Sequence, residues 1–165
     1  MKLTSVEAII AALGANEVRY LVAGGLAVNA HGFLRYTKDV DLVASLDRAN
    51  VFRIFAALET VGFRPAVPVT AGQFADPAQR EAWIRDKGMR VLQFWSDVHR
   101  ETPVDLFVEE PFPFEEENAR AVLRSLPGAG DVRFVSLPTL IRMKEAVGRP
   151  QDLMDVENLR LRLSP

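Results

Sequence analysis

A chain of 165 residues, 48% hydrophobic and 25% charged, has the length and composition of one soluble globular domain with a sizeable core, which excludes a disordered chain. Zero cysteines exclude disulfides and thiolate metal sites, and a net charge of −2 gives no overall attraction to nucleic acid, so a polyanion would need a local basic patch. No apolar run approaches the roughly 18–20 residues of a membrane span, and the opening stretch MKLTSVEAIIAAL lacks a signal peptide's basic flank and cleavage site, so a cytoplasmic location and no membrane partner are expected.

In chain order, Thr4 and Glu7 have capping-box spacing, and Val6, Ile9, Ile10 and Leu13 form an apolar helical stripe that Gly14 should end. Residues 19–23 read as a strand whose nearly continuous apolar run suits cover on both faces. A double glycine, Gly24 and Gly25, then turns the chain into a short helix over 26–31, with Gly32 as its left-handed stop. A basic linker over 35–38 leads to a second strand over 39–44. There Asp39, Asp41 and Val43 alternate with Val40, Leu42 and Ala44, which predicts acids on one face and core on the other.

Asp47 is suited to cap a helix over 48–60, with Val51, Ile54, Phe55 and Leu58 on one stripe and Gly62 beyond its end. A short strand over 63–67 follows, and 68–88 is the least regular stretch. Within it, Asp76, Pro77 and Gln79 mark the start of a small helix through Trp83 and Ile84. Strands are expected over 90–95 and 104–108, joined by a polar turn, before Pro111 and Pro113 break regularity. Segments 121–126 and 132–135 flank a Pro-Gly-Ala-Gly-Asp turn and predict a hairpin. Two helices, over 138–147 and 151–163, close the chain. The expected fold is mixed α/β (α+β): a core over 1–136 with a C-terminal helical tail over 137–165 packed on it, one structural domain overall.

Two carboxylates one residue apart on a strand point to the same side, with backbone positions roughly 6.5–7 Å apart. Asp39 and Asp41 can therefore grip one divalent cation, while the glycine turn and the helix start behind it hold a phosphate beside them. Asp105, in PVDLFVE, lies on a strand that can pair beside theirs and bring a third carboxylate to the same place. Three such groups repel unless a cation neutralises them, and an all-oxygen ligand set favours Mg²⁺ or Mn²⁺ over Zn²⁺. Arg35 and Lys38 either donate to phosphate or balance the acids. Trp83 and Trp95 either stack on a base or belong to the core and the sheet surface.

The spacing of Gly24-Gly25, thirteen residues, then Asp39-Val40-Asp41 resembles the signature of the nucleotidyltransferase superfamily of the DNA polymerase β type. More narrowly, GGLAVNAHG, RYTKDVDL, VDLFV and LIRMKEAVGRPQDLMDVENL are similar to abortive-infection (AbiEii-type) and toxin–antitoxin nucleotidyltransferases, with 68–89 the weakest match. The resemblance implies a twisted mixed sheet flanked by helices and a metal-dependent transfer of an NMP from an NTP, with release of pyrophosphate. It implies triphosphate at Gly24 and Gly25, metals at Asp39 and Asp41, and an Asp105 that completes the metal site and assists deprotonation of the acceptor hydroxyl.

By the same resemblance Lys144, Arg149 and Asp152 recur as a cluster, in which Lys144 reaches the triphosphate while Arg149 and Asp152 form an ion pair tying the two tail helices. The acceptor is left open among a protein side chain, an RNA end and a small molecule. A cognate toxin or antitoxin and a homodimer are the implied protein partners, and a non-catalytic interaction module is the alternative to an enzyme. The chain departs from familiar members by Gly25 where serine is frequent, by its shortness, and by the absence of a lysine or arginine excess.

Overall fold

The computed structural model describes residues 1–162. The chain runs α1 (Leu3–Ala15), β1 (Tyr20–Val22), α2 (Gly24–Ala30), β2 (Val40–Ala44), α3 (Arg48–Thr60) and β3 (Phe63–Pro65). It continues through α4 (Ala71–Ala75), α5 (Pro77–Lys87), β4 (Val91–Ser96), β5 (Val104–Phe107) and α6 (Phe114–Arg120). The hairpin β6 (Val122–Leu126) and β7 (Gly130–Phe134) and the helices α7 (Leu137–Val147) and α8 (Pro150–Arg160) complete it. The tail helix expected to reach Leu163 ends, within the described residues, at Arg160.

Local chemistry sets most boundaries. Asp47 accepts a hydrogen bond from the Asn50 N–H and so caps α3. Asp76 caps α5 through the Ala78 N–H, with Pro77 at the first helical position and Gly88 in the left-handed conformation at its end. The capping box at Thr4 and Glu7 does not form. Lys2 precedes α1 without a side-chain cap, and the helix passes through Gly14 to Ala15. A complete box is made instead by Thr70 and Gln73 at the start of α4, inside the stretch expected to be irregular. Helix α6 also lies where prolines predicted irregularity. Its fully buried Glu117 accepts from the Ser136 N–H at 2.6 Å and the Thr139 hydroxyl at 2.7 Å, satisfying the first turn of α7, whose own Ser136 side chain makes no cap.

The seven strands form one mixed sheet in the order β3-β4-β5-β2-β1-β7-β6. Strand β2 lies antiparallel to β1 and parallel to β5, and β4 lies antiparallel to both β5 and β3. One face carries Val22, Val40, Leu42, Leu92, Phe94, Val104 and Leu106, buried with Ile9, Ile10 and Leu13 of α1 and Ile54 and Leu58 of α3. Each such side chain contributes roughly 1.5–3 kcal/mol of burial.

The opposite face is divided. Over β1, β2 and β7 it is covered by a second core joining Leu21, Ala23, Val43 and Val135 to Ala27 and Val28 of α2, Leu140 and Ile141 of α7, and Val156 and Leu159 of α8. Val43 is thus fully buried on the face expected to be left to the acids. Over β3 and β4 the same face shows the exposed side chains of Arg64, Gln93 and Trp95. The candidate site lies at the step between the covered and the bare half.

Candidate active site

The glycine corner is built by contact as much as by conformation. Gly24 has φ +58°, in the left-handed region, and a Cβ on it would stand 1.7 Å from Oδ2 of Asp41. A Cβ on Gly25 would stand 2.3 Å from the Thr37 hydroxyl oxygen and 2.6 Å from Thr37 Cβ. Asp41 therefore lies directly against the turn, and the linker folds down over its second residue. The helix α2 begins at Gly24 itself, two residues earlier than the periodicity indicated, so its first-turn N–H groups belong to the glycines.

Asp41 sits on β2 and is paired in parallel register with Asp105 on β5, which puts both carboxylates side by side on one face. Asp39 precedes the strand by one residue instead of lying within it, and its carboxylate accepts from the Thr37 hydroxyl at 3.3 Å. The electrostatics bear the mark of this crowding. Burial, then Asp39, then Asp105 push the Asp41 carboxyl up to about 7, against the opposing pull of Lys144 and Arg149. Asp105 is also raised, by burial first and by Asp39, while a hydrogen bond from Gln93 and the charge of Lys38 work the other way. Among the described residues no three carboxylate or imidazole groups stand ready-made to hold one ion.

An all-oxygen donor set with one carboxyl at about 7 fits a hard divalent cation. Such an ion would relieve the repulsion that raises Asp41, and Asp41 with Asp105 and Asp39 would hold it.

Two expected phosphate ligands are paired with carboxylates of the tail. Arg35 donates Nε and Nη2 to the two oxygens of Asp155 at 2.7 and 2.8 Å, and Nη1 to the Tyr36 carbonyl at 2.8 Å. Lys144, 7% exposed, places its ammonium 3.0 Å from Asp152 and 2.8 Å from Asp155. Arg35 thus ties the linker to α8 and Lys144 ties α7 to α8, while Arg35 Nη1 still lies against the Gly25 turn and the Lys144 charge still acts on Asp41. Each desolvated ammonium or guanidinium is matched by carboxylates that would otherwise be buried unpaired. Burial pushes Asp155 up, but the hydrogen bonds from Arg35 and Lys144 outweigh it and hold the carboxyl below the usual range. Lys38 remains exposed on the Asp105 side, and Arg149 keeps an exposed guanidinium bonded to Asp152 at 3.1 Å.

Three residues of the site escaped the sequence reading. Gln93 Nε2 donates to Asp105 at 2.9 Å from the neighbouring strand, where it is the register partner. Asn29 pins the linker by bonding both the N–H and the carbonyl of Arg35. Asp155 anchors the Arg35 side chain. A glutamine in the middle of RVLQFW was the one usable signal, because a lone polar residue in an apolar strand marks a face that meets polar neighbours.

No protein-family model and no curated protein matches the sequence. Solved structures do match the fold. ANT(2'')-Ia in complex with adenylyl-2''-tobramycin is similar over 98% of this chain and 89% of its own, with a TM-score of 0.62 and 14% identity. The lincomycin-bound lincosamide antibiotic adenylyltransferase LnuA is similar over 90% and 89%, with a TM-score of 0.57 and 12% identity. An antigenic nucleotidyltransferase-like protein from Paracoccidioides brasiliensis matches over 95% and 74%, with a TM-score of 0.56 and 17% identity. The chain has the nucleotidyltransferase fold. No helix of the described residues is long and apolar enough to cross a membrane.

Proposed function

We propose that the protein is a metal-dependent nucleotidyltransferase that moves an NMP from an NTP to an acceptor hydroxyl and releases pyrophosphate. The observation that carries this reading is the parallel pairing of Asp41 with Asp105 against a glycine corner that tolerates no side chain at Gly24. The nucleotidyltransferase fold of the neighbours supports it.

Mg²⁺ or Mn²⁺, when bound, supplies the charge that offsets the triphosphate and eases loss of the acceptor proton. Asp39, Asp41 and Asp105 are the residues that would hold it. The N–H groups of Gly24 and Gly25 bind phosphate oxygens, and exposed Lys38 is a cation placed to face pyrophosphate. Gln93 fixes the orientation of Asp105 so that its free oxygen receives the acceptor proton. The acceptor oxygen forms a bond to the α-phosphorus as the bond from that phosphorus to the β-bridging oxygen breaks. Pyrophosphate carries away the electron pair, and the hydroxyl proton passes to Asp105.

The ligands of the neighbours, adenylyl-tobramycin on one and lincomycin on the other, favour a small hydroxylated acceptor. The motif resemblance to abortive-infection and toxin–antitoxin proteins supports the same chemistry on a protein side chain or RNA end, under control of a cognate protein. The deciding test is incubation with each of four α-labelled NTPs and Mg²⁺, against small hydroxylated compounds, bulk tRNA and lysate protein. Label should move to one class only, and Asp41→Asn and Asp105→Asn should each lower transfer at least about a hundredfold. Full transfer by either variant would overturn the assignment. Absence of both transfer and MgNTP-dependent thermal stabilisation would favour a non-catalytic interaction module.

A further inference from the structure

The bare half of the acid-bearing sheet face carries a built feature that the reaction above leaves unused. Trp83 is buried against Phe74, but Trp95 is 37% exposed. The bond from Gln93 to Asp105 fixes the side of the sheet on which Gln93 lies, and Trp95, two residues on along β4, lies on that same side. Arg64, the register partner of Trp95 on β3, places its guanidinium 4.2 Å from the indole centroid. That stack holds the ring in one orientation in spite of its exposure. Asp105, Gln93, Trp95 and Arg64 thus form a continuous row leading outward from the carboxylates.

We propose that this row is the acceptor subsite, and that its ligand is a hydroxyl-bearing ring, uncharged or cationic, of the size of a single sugar or cyclitol. The inference rests on the nucleotidyltransferase reading and adds to it the class of acceptor. Distance sets the size. In an antiparallel pair the diagonal from Trp95 to Asp105 is about 7–8 Å, so one ring lying on the indole brings a substituent hydroxyl to the carboxylate.

Chemistry sets the class. An indole face takes the C–H face of a saturated ring. Gln93 gives one of its two amide N–H groups to Asp105 and keeps its carbonyl as an acceptor, and Asp105 offers carboxylate oxygens, so acceptors outnumber the one remaining amide N–H and the row favours a ligand rich in donors. Charge argues against a nucleic acid strand. Arg64 is paired with Asp97 at 2.9 Å, Arg100 with the same carboxylate at 3.8 Å, and Arg90 with Glu109 at 3.2 Å, so these cations are already matched.

The test uses the full chain with Mg²⁺ and ATP, and reads saturation-transfer NMR from protein to methyl glucoside, glucosamine and inositol, with oligoadenylate RNA as competitor. Thermal stabilisation by MgATP is read separately in the same samples. At least one ring probe should receive magnetisation, Trp95→Ala should weaken its binding about tenfold, and Trp95→Phe should restore most of it. Equal binding to wild type and Trp95→Ala, no binding of any ring probe, or displacement of the probe by RNA would each overturn the proposal. If MgATP stabilises the protein while the ring probes ignore Trp95, the subsite fails and the nucleotidyltransferase reading stands. If the probes need Trp95 while none of the four MgNTPs stabilises the protein or is turned over, the row binds a ring but is not an acceptor subsite, and the nucleotidyltransferase reading fails.

Discussion

Asp155 of α8, with none of its surface exposed, grips the guanidinium of Arg35 through two parallel hydrogen bonds across 120 residues of sequence. The linker that ends in Asp39 is thereby fastened to the tail. Breaking a buried pair by removing one partner costs roughly 3–5 kcal/mol, because the other charge stays buried without a match. Asp155→Ala should lose about that much in urea unfolding. Amide exchange across residues 33–39 should rise more than across α3, which packs in the core on the other face of the sheet.

The packing over Gly25 predicts a coupling between two positions that a sequence would not connect. Gly25→Ala drives a methyl group into Thr37 and should destabilise by about 1–3 kcal/mol. Thr37→Gly clears that space, so the double variant should recover more stability than the sum of the single changes allows. A double-mutant cycle in denaturant measures it, and simple additivity would show that Thr37 does not rest on the turn.

Asp41 titrates with a sign opposite to that of most paired carboxylates. Its folded-state value of about 7 exceeds the ordinary 3.8, so between those limits the folded protein binds the extra proton. Without metal, stability from this group is full below about pH 4, falls as pH rises, and is lost above about pH 7. Asp41→Asn should therefore raise the melting temperature at pH 8 by about 2–8 °C, from roughly 1–2 kcal/mol, and change it little at pH 4. Calorimetry in EDTA at the two pH values checks this, and added Mg²⁺ should close most of the gap for wild type alone.

Gln93 lowers the value of Asp105 by donating to it. Gln93→Leu keeps the bulk and removes the donor, so the Asp105 carboxyl should rise further. The acidic limb of the transfer rate should then move to higher pH while the alkaline limb stays in place. A pH–rate profile of kcat/KM for both proteins reads this directly.

Much of the frame was legible beforehand because it is written in local terms. Alternation and turn chemistry identified the strands around Leu21, Leu42, Phe94 and Leu106, the Asp47 and Asp76 caps, and the hairpin at 121–135. Helices α4 and α6 were missed because one is a single turn and the other begins directly after a proline, where short-range signals are weakest. The unformed box at Thr4 and Glu7 and the formed one at Thr70 and Gln73 have the same spacing, so spacing alone does not tell them apart. Period-two alternation put Asp41 on the acid-bearing side of β2 and turn chemistry put the two glycines at its corner, but Asp39 falls just outside the strand expected to carry it, and Gln93 needed the pairing of β4 with β5.

By itself the sequence determined the strands, the longer helices and the side of β2 that bears Asp41, since those follow from periodicity along a few neighbouring residues. Only the tertiary structure decided what the long cations do. Arg35 and Lys144 carry charges on flexible stems whose partners are whichever carboxylates folding brings near, and here these are Asp152 and Asp155 on the tail. It likewise decided that Trp83 goes inside and Trp95 stays out beside the acids. That choice depends on which half of a sheet face the helices cover, a matter of long-range packing that no local period encodes.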